Sequence, residues 1–469
     1  MIVVAASLCM ASGFAVLRLG WPGNSRFVAE LLLKASLSIG FGLGIFSIIF
    51  FLSLVFHVSH LMLLDFAVFA VLLAANLVFS KRSTVHAAVI ASESSRDALA
   101  PWVSRLIGGG FIFALVAALY SAILRLIAYP HGDGWDAFAI WNLRARFLFR
   151  GGEHWRDGFT TLLPGSHPDY PLLLPAAIAH FWRLLGSDSP MVPAVLGFLF
   201  TFCTVALLFS GLSTLRGRTA ALLGGIALLT TPFFVELGTS QYADVPLGFF
   251  FLATIVLLNL HDDRDDKSTN TGLLALAGLS AIFAAWTKNE GLLFLVVVVL
   301  ARVWVIVKKE RPYGGISQIV PLLGAIAPIF LVIFYFKHSV ATGSDIFASS
   351  NAIPHKLMDP GRYGAVLKWY GKGFLRFGNW FLIPGTVAML VYYFVSEKET
   401  NRKSESGSGV AIFILTLVGY FAIYLITPYD IYWHLRFSLT RLFMQLWPSA
   451  LFLFFRMVRL DPEQVAEEL

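Results

Sequence analysis

Apolar residues fall along this chain in blocks long enough to cross a bilayer as helix, broken by short polar stretches. Such runs lie near 2–17, 31–56, 59–79, 106–129, 190–213, 219–237, 245–260, 272–287, 291–307, 317–336, 377–396, 410–427 and 442–458. By the usual criterion of roughly 20 apolar residues per crossing, the pattern predicts about thirteen transmembrane helices in an all-α polytopic membrane protein. The first run is short enough to serve instead as an uncleaved signal-like anchor.

Two stretches between the runs are too long to be plain connectors, 130–189 and 337–376. In the first, Ala137 to Arg150 has the spacing of an amphipathic helix, with Phe138, Trp141, Ala145 and Leu148 on one face and Arg144 and Arg146 away from it. Leu172 to Leu185 predicts a second short helix, with Trp182 and Arg183 near its end. Both are expected to lie along the membrane surface, where Trp and Arg suit the headgroup zone. No repeat of fixed period is visible. The chain therefore divides into one integral unit, 1–469, with extra N-terminal helices at 1–105, a catalytic loop at 130–189 and a second outer loop at 337–376.

Composition agrees with this pattern: 57% of the 469 residues are hydrophobic and 13% charged, against about 25% charged in soluble domains. Short loops that alternate along the chain hold Lys and Arg, as at Arg216 and Arg218 or Lys308, Lys309 and Arg311, and these are expected to face the cytoplasm. That bias accounts for the net charge of +7 without a nucleic-acid partner. Acids and aromatics gather on the other face, at 130–189, 238–244, 288–290, 337–376 and 428–440. The two cysteines, Cys9 and Cys203, lie inside apolar runs, so neither a disulfide framework nor a metal cluster is expected.

The polar stretch from His131 to Arg146 follows directly on the run at 106–129 and brings two acids, two tryptophans and two arginines to the bilayer surface. Within it, Asp136 leads a helical segment. Gly151-Gly-Glu-His-Trp155 follows, then His167-Pro-Asp-Tyr-Pro-Leu172 and Leu184-Leu-Gly186. In that order and spacing these residues resemble the first outer loop of GT-C membrane glycosyltransferases, nearest to the branch of protein O-mannosyltransferases and lipid A aminoarabinose transferases (glycosyltransferase family 39-like). Gln241-Tyr-Ala-Asp-Val-Pro-Leu247 and Trp286-Thr-Lys-Asn-Glu-Gly291 resemble the next two outer motifs of that branch, so the likeness spans roughly 106–310. One departure stands out: where the branch carries an Asp-Glu pair, this chain has Asp136-Ala137.

The resemblance implies inverting transfer of a sugar from a polyprenyl-phosphate donor to a hydroxyl of a glycan, lipid or protein acceptor, at a bacterial plasma membrane with the site facing outward. The chemistry points the same way. Nucleotide sugars are not expected outside the cytoplasm, so the membrane must deliver the donor, and a weakly nucleophilic hydroxyl needs a base. Asp136, between Trp135 and Phe138, is the first choice, although an acid there also suits a helix cap. Asp133, in the turn Gly132-Asp-Gly134, is its stand-in. Asp244 is a third catalytic candidate and reads equally as a cap before Val245-Pro246.

Cations near the leaving phosphate would stabilise growing charge, and Lys288, Arg436 and Arg441 lie at outer helix ends. A late Arg of the family pattern resembles Arg441, with Pro448 after it. The triplet Lys288-Asn289-Glu290 joins two apolar runs at a depth where polar groups need partners or water. Gln241 and Tyr242 flank Asp244 and are further substrate-binding candidates. His167 and Asp169 suit a sugar or a metal, or only local hydrogen bonds, and His434 either lines a donor site or sits among interfacial aromatics. No cofactor is assigned; a divalent cation at Asp244 is the one candidate left open, since the acids are too dispersed for a ligand set.

Asp65, inside an apolar run, is expected to have a buried interhelical partner. Glu236 is expected to be an interfacial acid, and His261-Asp-Asp-Arg-Asp-Asp-Lys267 a solvated cytoplasmic turn. Two other function classes fit the composition: a transporter or flippase of a lipid-linked or amphipathic solute, and a non-catalytic assembly subunit. The crowding of acids on one face and the absence of repeats speak against the first; dispensable outer carboxylates would favour the second. The loop at 337–376, with Tyr363, Trp369 and Tyr370, is expected to shape the acceptor side.

Overall fold

The computed structural model describes residues 1–21, 28–79, 101–160, 162–263, 271–308, 312–341, 343, 350–380, 385–395 and 407–458. Among these residues the structure is helical with no strand. The first half holds α1 (Ile2–Gly20), α2 (Val28–Val55), α3 (Leu61–Phe79), α4 (Pro101–Ala128), α5 (Asn142–Arg150), α6 (Leu173–Leu185), α7 (Met191–Leu215), α8 (Arg218–Leu229) and α9 (Pro232–Thr239). The second half holds α10 (Asp244–Asp262), α11 (Thr271–Thr287), α12 (Asn289–Lys308), α13 (Pro312–Ser339), α14 (Ile353–Leu357), α15 (Pro360–Arg376), α16 (Gly385–Val395), α17 (Gly407–Ile426) and α18 (Ile431–Met457).

Nine helices among the described residues are long and apolar enough to cross a membrane, or ten if α8 and α9, bent by 67° at their break, form one span. The count falls short of thirteen for local reasons. The apolar run at 219–237 is cut where Pro232 opens a new helix, and the run at 272–287 yields the 17-residue α11. The run at 377–396 divides into a turn at Phe377–Asn379 and the 11-residue α16. The last run is the far half of α18, whose near half carries His434, Arg436 and Arg441.

The central member of the bundle is α10, whose apolar stretch is entirely buried, whereas α3 and α4 expose most of theirs. Leu63, Val71, Phe113 and Ile127 are exposed on those two helices, as suits side chains that meet lipid. Backbones touch where glycines allow it: a Cβ on Gly42 of α2 would lie 2.2 Å from the Cys9 carbonyl oxygen of α1. Close approach through small residues is a usual way for helices to gain contact in lipid.

Two expectations change here. Helix α6 does not lie on a surface: nearly all its side chains are buried, Trp182 is fully so, and Trp182 Nε1 donates to the Ser189 carbonyl at 2.8 Å. His180, on the same helix, lies 3.1 Å from Asp65 Oδ2 with both side chains fully buried, which supplies the interhelical partner expected for Asp65.

The acidic stretch after α10 is not a solvated turn over its described part. Arg302 Nη1 donates to both oxygens of Asp262 at 2.9 Å, and Ser408 Oγ donates to Oδ2 at 2.9 Å. Arg456 pairs with Asp263 and donates to the Leu215 carbonyl at 2.9 Å. Residues 264–267 lie outside the described residues. This polar knot closes the end of the bundle opposite to the one that carries Asp136 and Asp244.

Candidate active site

The chain leaves α4 and reverses through Gly132 (φ 90°) and Gly134 (φ 93°). Both lie in the left-handed region that favours glycine. Space is also short: a Cβ on Gly134 would lie 2.5 Å from the Tyr242 hydroxyl, and one on Gly132 2.3 Å from the Ala137 Cβ. The turn places Asp136 at the head of a π-helical turn, Ala137–Trp141, that runs into α5. Asp136 makes no side-chain capping bond. Its Oδ2 instead accepts from Arg441 Nη2 at 2.7 Å. Asp133 pairs with Arg125 of α4, which also reaches Thr239 Oγ1 at 3.1 Å, so it anchors the turn.

Asp244, fully buried at the start of α10, is the hub. Its Oδ1 accepts from Lys288 Nζ at 2.9 Å and Gln445 Nε2 at 2.6 Å. Its Oδ2 accepts from Arg441 Nε at 3.1 Å and Nη2 at 2.8 Å. Lys288 Nζ also lies 2.9 Å from Glu290 Oε1, and the Tyr420 hydroxyl donates to Gln445 Oε1 at 2.7 Å. The Arg441 guanidinium covers the Tyr242 ring at 4.7 Å. Two cations thus meet three carboxylates, Asp136, Asp244 and Glu290, leaving a net formal charge of −1 among these five.

Electrostatics fix which groups can exchange protons. Burial alone would favour the neutral amine of Lys288, yet the charges of Asp244 and Glu290 outweigh it and hold its pKa above the ordinary value. Burial, with the Asp136 charge adding to it, pushes the Tyr242 phenol up to about 12. Tyr170 is pushed well above its ordinary value, by burial first and then by Glu290 and Asp136. Both phenols therefore keep their protons near neutral pH.

Beside this hub stands the turn from Ser166 to Tyr170. Asn289 Nδ2 donates to Asp169 Oδ2 at 2.9 Å, and Lys337 Nζ reaches Asn289 Oδ1 at 2.6 Å and the Asp169 carbonyl. Tyr170 stacks between His167 at 4.8 Å and Trp141 at 5.6 Å, with Lys288 Nζ 5.8 Å from its ring.

Of the residues singled out in the sequence, the fold brings together Asp136, Tyr242, Asp244, Lys288, Glu290 and Arg441, with His167 and Asp169 adjoining. Gln241 instead braces the backbone. At φ 62° it donates to the Pro130 carbonyl at 3.0 Å and accepts from Asn142 Nδ2 at 2.7 Å, tying the turn after α4 to the head of α10. His434 is tied to Thr427 Oγ1 at 2.8 Å in the turn before α18. Arg436 is exposed and its guanidinium lies against Phe437 at 5.6 Å, away from the hub.

Gln445, Tyr420, Lys337 and Arg144 are site neighbours that sequence reasoning missed, and Asn289 entered only as a member of the polar triplet. Gln445 had a signal, four residues after Arg441 and so on the same helical face. Arg144 had a misleading one: its spacing points away from the packed face, yet it is buried. Among the described residues no group of three or more His, Cys, Asp or Glu side chains is placed to hold a metal ion.

Residues 167–336 match the model of the dolichyl-phosphate-mannose-protein mannosyltransferase family. The match supports the resemblance to GT-C glycosyltransferases of the family 39-like type. It spans His167, Asp169, Tyr242, Asp244, Lys288 and Glu290, while Asp136 and Arg441 lie outside it and reach the same hub through the fold. Neither the curated proteins nor the solved structures hold a significant match.

Proposed function

We propose that this chain, a multi-pass membrane glycosyltransferase of the GT-C, family 39-like type, moves a sugar from a polyprenyl-phosphate donor to an acceptor hydroxyl with inversion at the anomeric carbon. Asp136 is the general base. The supporting observation is the Arg441 fork, which joins Asp136 to the Asp244–Lys288 hub although Arg441 lies near the end of the sequence and Asp136 in its first third.

In this reading the acceptor hydroxyl gives its proton to Asp136 as its oxygen attacks the anomeric carbon, and the bond from that carbon to the phosphate oxygen breaks. The electron pair leaves with the lipid phosphate. Arg441 and Lys288 face the charge that grows on the departing oxygens, which stabilises the transition state more than the ground state. Asp244 holds both cations in place.

The site would open on the outer face of a bacterial plasma membrane, with lipid admitting the donor laterally and a glycan, lipid or protein as acceptor. Purified protein in lipid, given radiolabelled polyprenyl-phosphate sugars, is expected to transfer label, and Asp136→Asn to lose transfer by about 10²–10⁴-fold. Its melting temperature should stay close to that of the parent. Equal transfer by parent and variant would remove Asp136 as base.

A further inference from the structure

The turn that carries His167, Asp169 and Tyr170 is built by a side chain outside it. Arg144 of α5 is 2% exposed. Its Nη2 donates to the Ser166 carbonyl at 2.9 Å, the Ser166 hydroxyl at 3.3 Å and the His167 carbonyl at 3.5 Å, while Nη1 donates to the Pro168 carbonyl at 3.0 Å. The other side of the guanidinium faces the Phe159 ring at 4.7 Å.

Three successive carbonyls directed at one planar cation demand a backbone that no repeating element supplies. His167 accordingly adopts φ 47°, the left-handed region that side chains other than glycine rarely occupy. Strain of this kind persists only where the surroundings impose it, and the hydrogen bonds from Arg144 to Ser166, His167 and Pro168 run directly around this residue.

The imposed turn has two chemical results. It stacks His167, Tyr170 and Trp141 as a set of parallel rings. It also buries Asp169 with Oδ2 satisfied by Asn289, while Oδ1 receives no hydrogen bond among the described residues. A buried carboxylate oxygen lacking a donor is costly unless a ligand or water supplies one. Trp141 is fully buried at the base of this stack, while the half-buried His167 and Tyr170 rings lie beside such an oxygen, next to Lys288, and suit a pyranose or furanose ring, whose CH groups pack on rings and whose hydroxyls donate.

We propose that Arg144 is a positioning residue: by holding the Ser166–Tyr170 turn it builds the wall of the site that reads the sugar, with Asp169 Oδ1 accepting a sugar hydroxyl. This rests on the lipid-phosphate-sugar reading above, and the test separates the two. Full-length protein in lipid nanodiscs is titrated, by tryptophan fluorescence, with undecaprenyl phosphate bare or bearing mannose, glucose or arabinose. At least one sugar-bearing lipid should bind the parent about tenfold more tightly than the bare lipid, the scale of one charge-assisted hydrogen bond.

Arg144→Met and Asp169→Ala should each remove most of that preference while leaving affinity for the bare lipid nearly unchanged, and the double variant should lose no more than either alone. Arg144→Lys keeps the charge without the planar fork and should behave as Arg144→Met does, which covers the case where the methionine variant fails to fold. Thermal melts confirm folding. Equal binding of bare and sugar-bearing lipids by the parent, or equal weakening of both in the Arg144 variants, overturns the inference and leaves the donor reading standing. Binding of neither lipid by the parent overturns both.

Discussion

Asp244 shows how much one carboxylate can organise. Lys288, from the turn between α11 and α12, and Arg441 and Gln445, four residues apart on α18, all end on it, and each of its oxygens accepts two hydrogen bonds. Removing one member of a buried ion pair costs about 3–5 kcal/mol because the partner is left charged and dry. Asp244→Ala leaves Lys288 with Glu290 alone and Arg441 with Asp136 alone and takes an acceptor from Gln445, so its melting temperature should fall below that of Asp136→Asn, which removes one charge from the end of the network; similar melts for the two variants would contradict the hub.

Tyr242 offers a test with a defined sign. Its folded pKa, raised from 10.0 to about 12, means that the stability it contributes is fully present below pH 10 and is lost as pH rises through about 12. Tyr242→Phe should flatten the alkaline fall of the melting temperature in that window and leave the curve below pH 10 parallel to the parent's. At this scale the sequence singled out acids and cations that the fold gathers around Asp244, since acids at outer helix ends stand out against an apolar chain. It did not separate these from Gln241 and Arg436, which the fold places on the backbone brace and against Phe437, because residues inside and beside such a cluster share the same local spacing.

At the scale of elements, the spans were legible wherever apolar length alone decides, as in α2, α7 and α10. They were not where a polar half shares the helix, as in α18, or where a proline cuts a run, as between α8 and α9. Helix α6 was misplaced for a different reason: an apolar face with Trp and Arg at its end describes an interfacial helix and a buried one equally well. Only its burial under neighbouring helices separates them, and His180 meeting Asp65 is part of that burial.

Packing also sets limits that no periodicity reveals. With a Cβ at Gly42 only 2.2 Å from the Cys9 carbonyl oxygen, Gly42→Val must push α1 from α2, at a cost of about 1–3 kcal/mol or more by analogy with overpacked cores. A lowered melting temperature in nanodiscs would show it. Unchanged melting would mean that the two helices do not approach so closely.

At the scale of the whole molecule, the bundle is closed by a polar knot at each end, around Asp244 and around Asp262. Pairs such as Asp244 with Arg441 join positions almost 200 residues apart, which a single sequence cannot disclose. The family resemblance singled out separate segments, and the fold alone connects them. Between the knots runs α10, wholly shielded by its neighbours, while α3, α4 and α13 form much of the lipid-facing rim.

That arrangement separates the reactive geometry from the thickness of the surrounding bilayer. Hydrophobic mismatch acts on whatever meets the acyl chains, and rim helices absorb it by tilting, at fractions of a kcal/mol per Å. A central rod anchored by ion pairs at both ends does not feel that force directly. Turnover measured in phosphatidylcholines with acyl chains of about 14 to 22 carbons should therefore stay nearly flat, even as the rim helices change their tilt. A sharp optimum at one chain length would mean that the rim transmits its tilt to the Asp244 end, and that the bilayer itself helps to set the distance between Asp136 and the two cations.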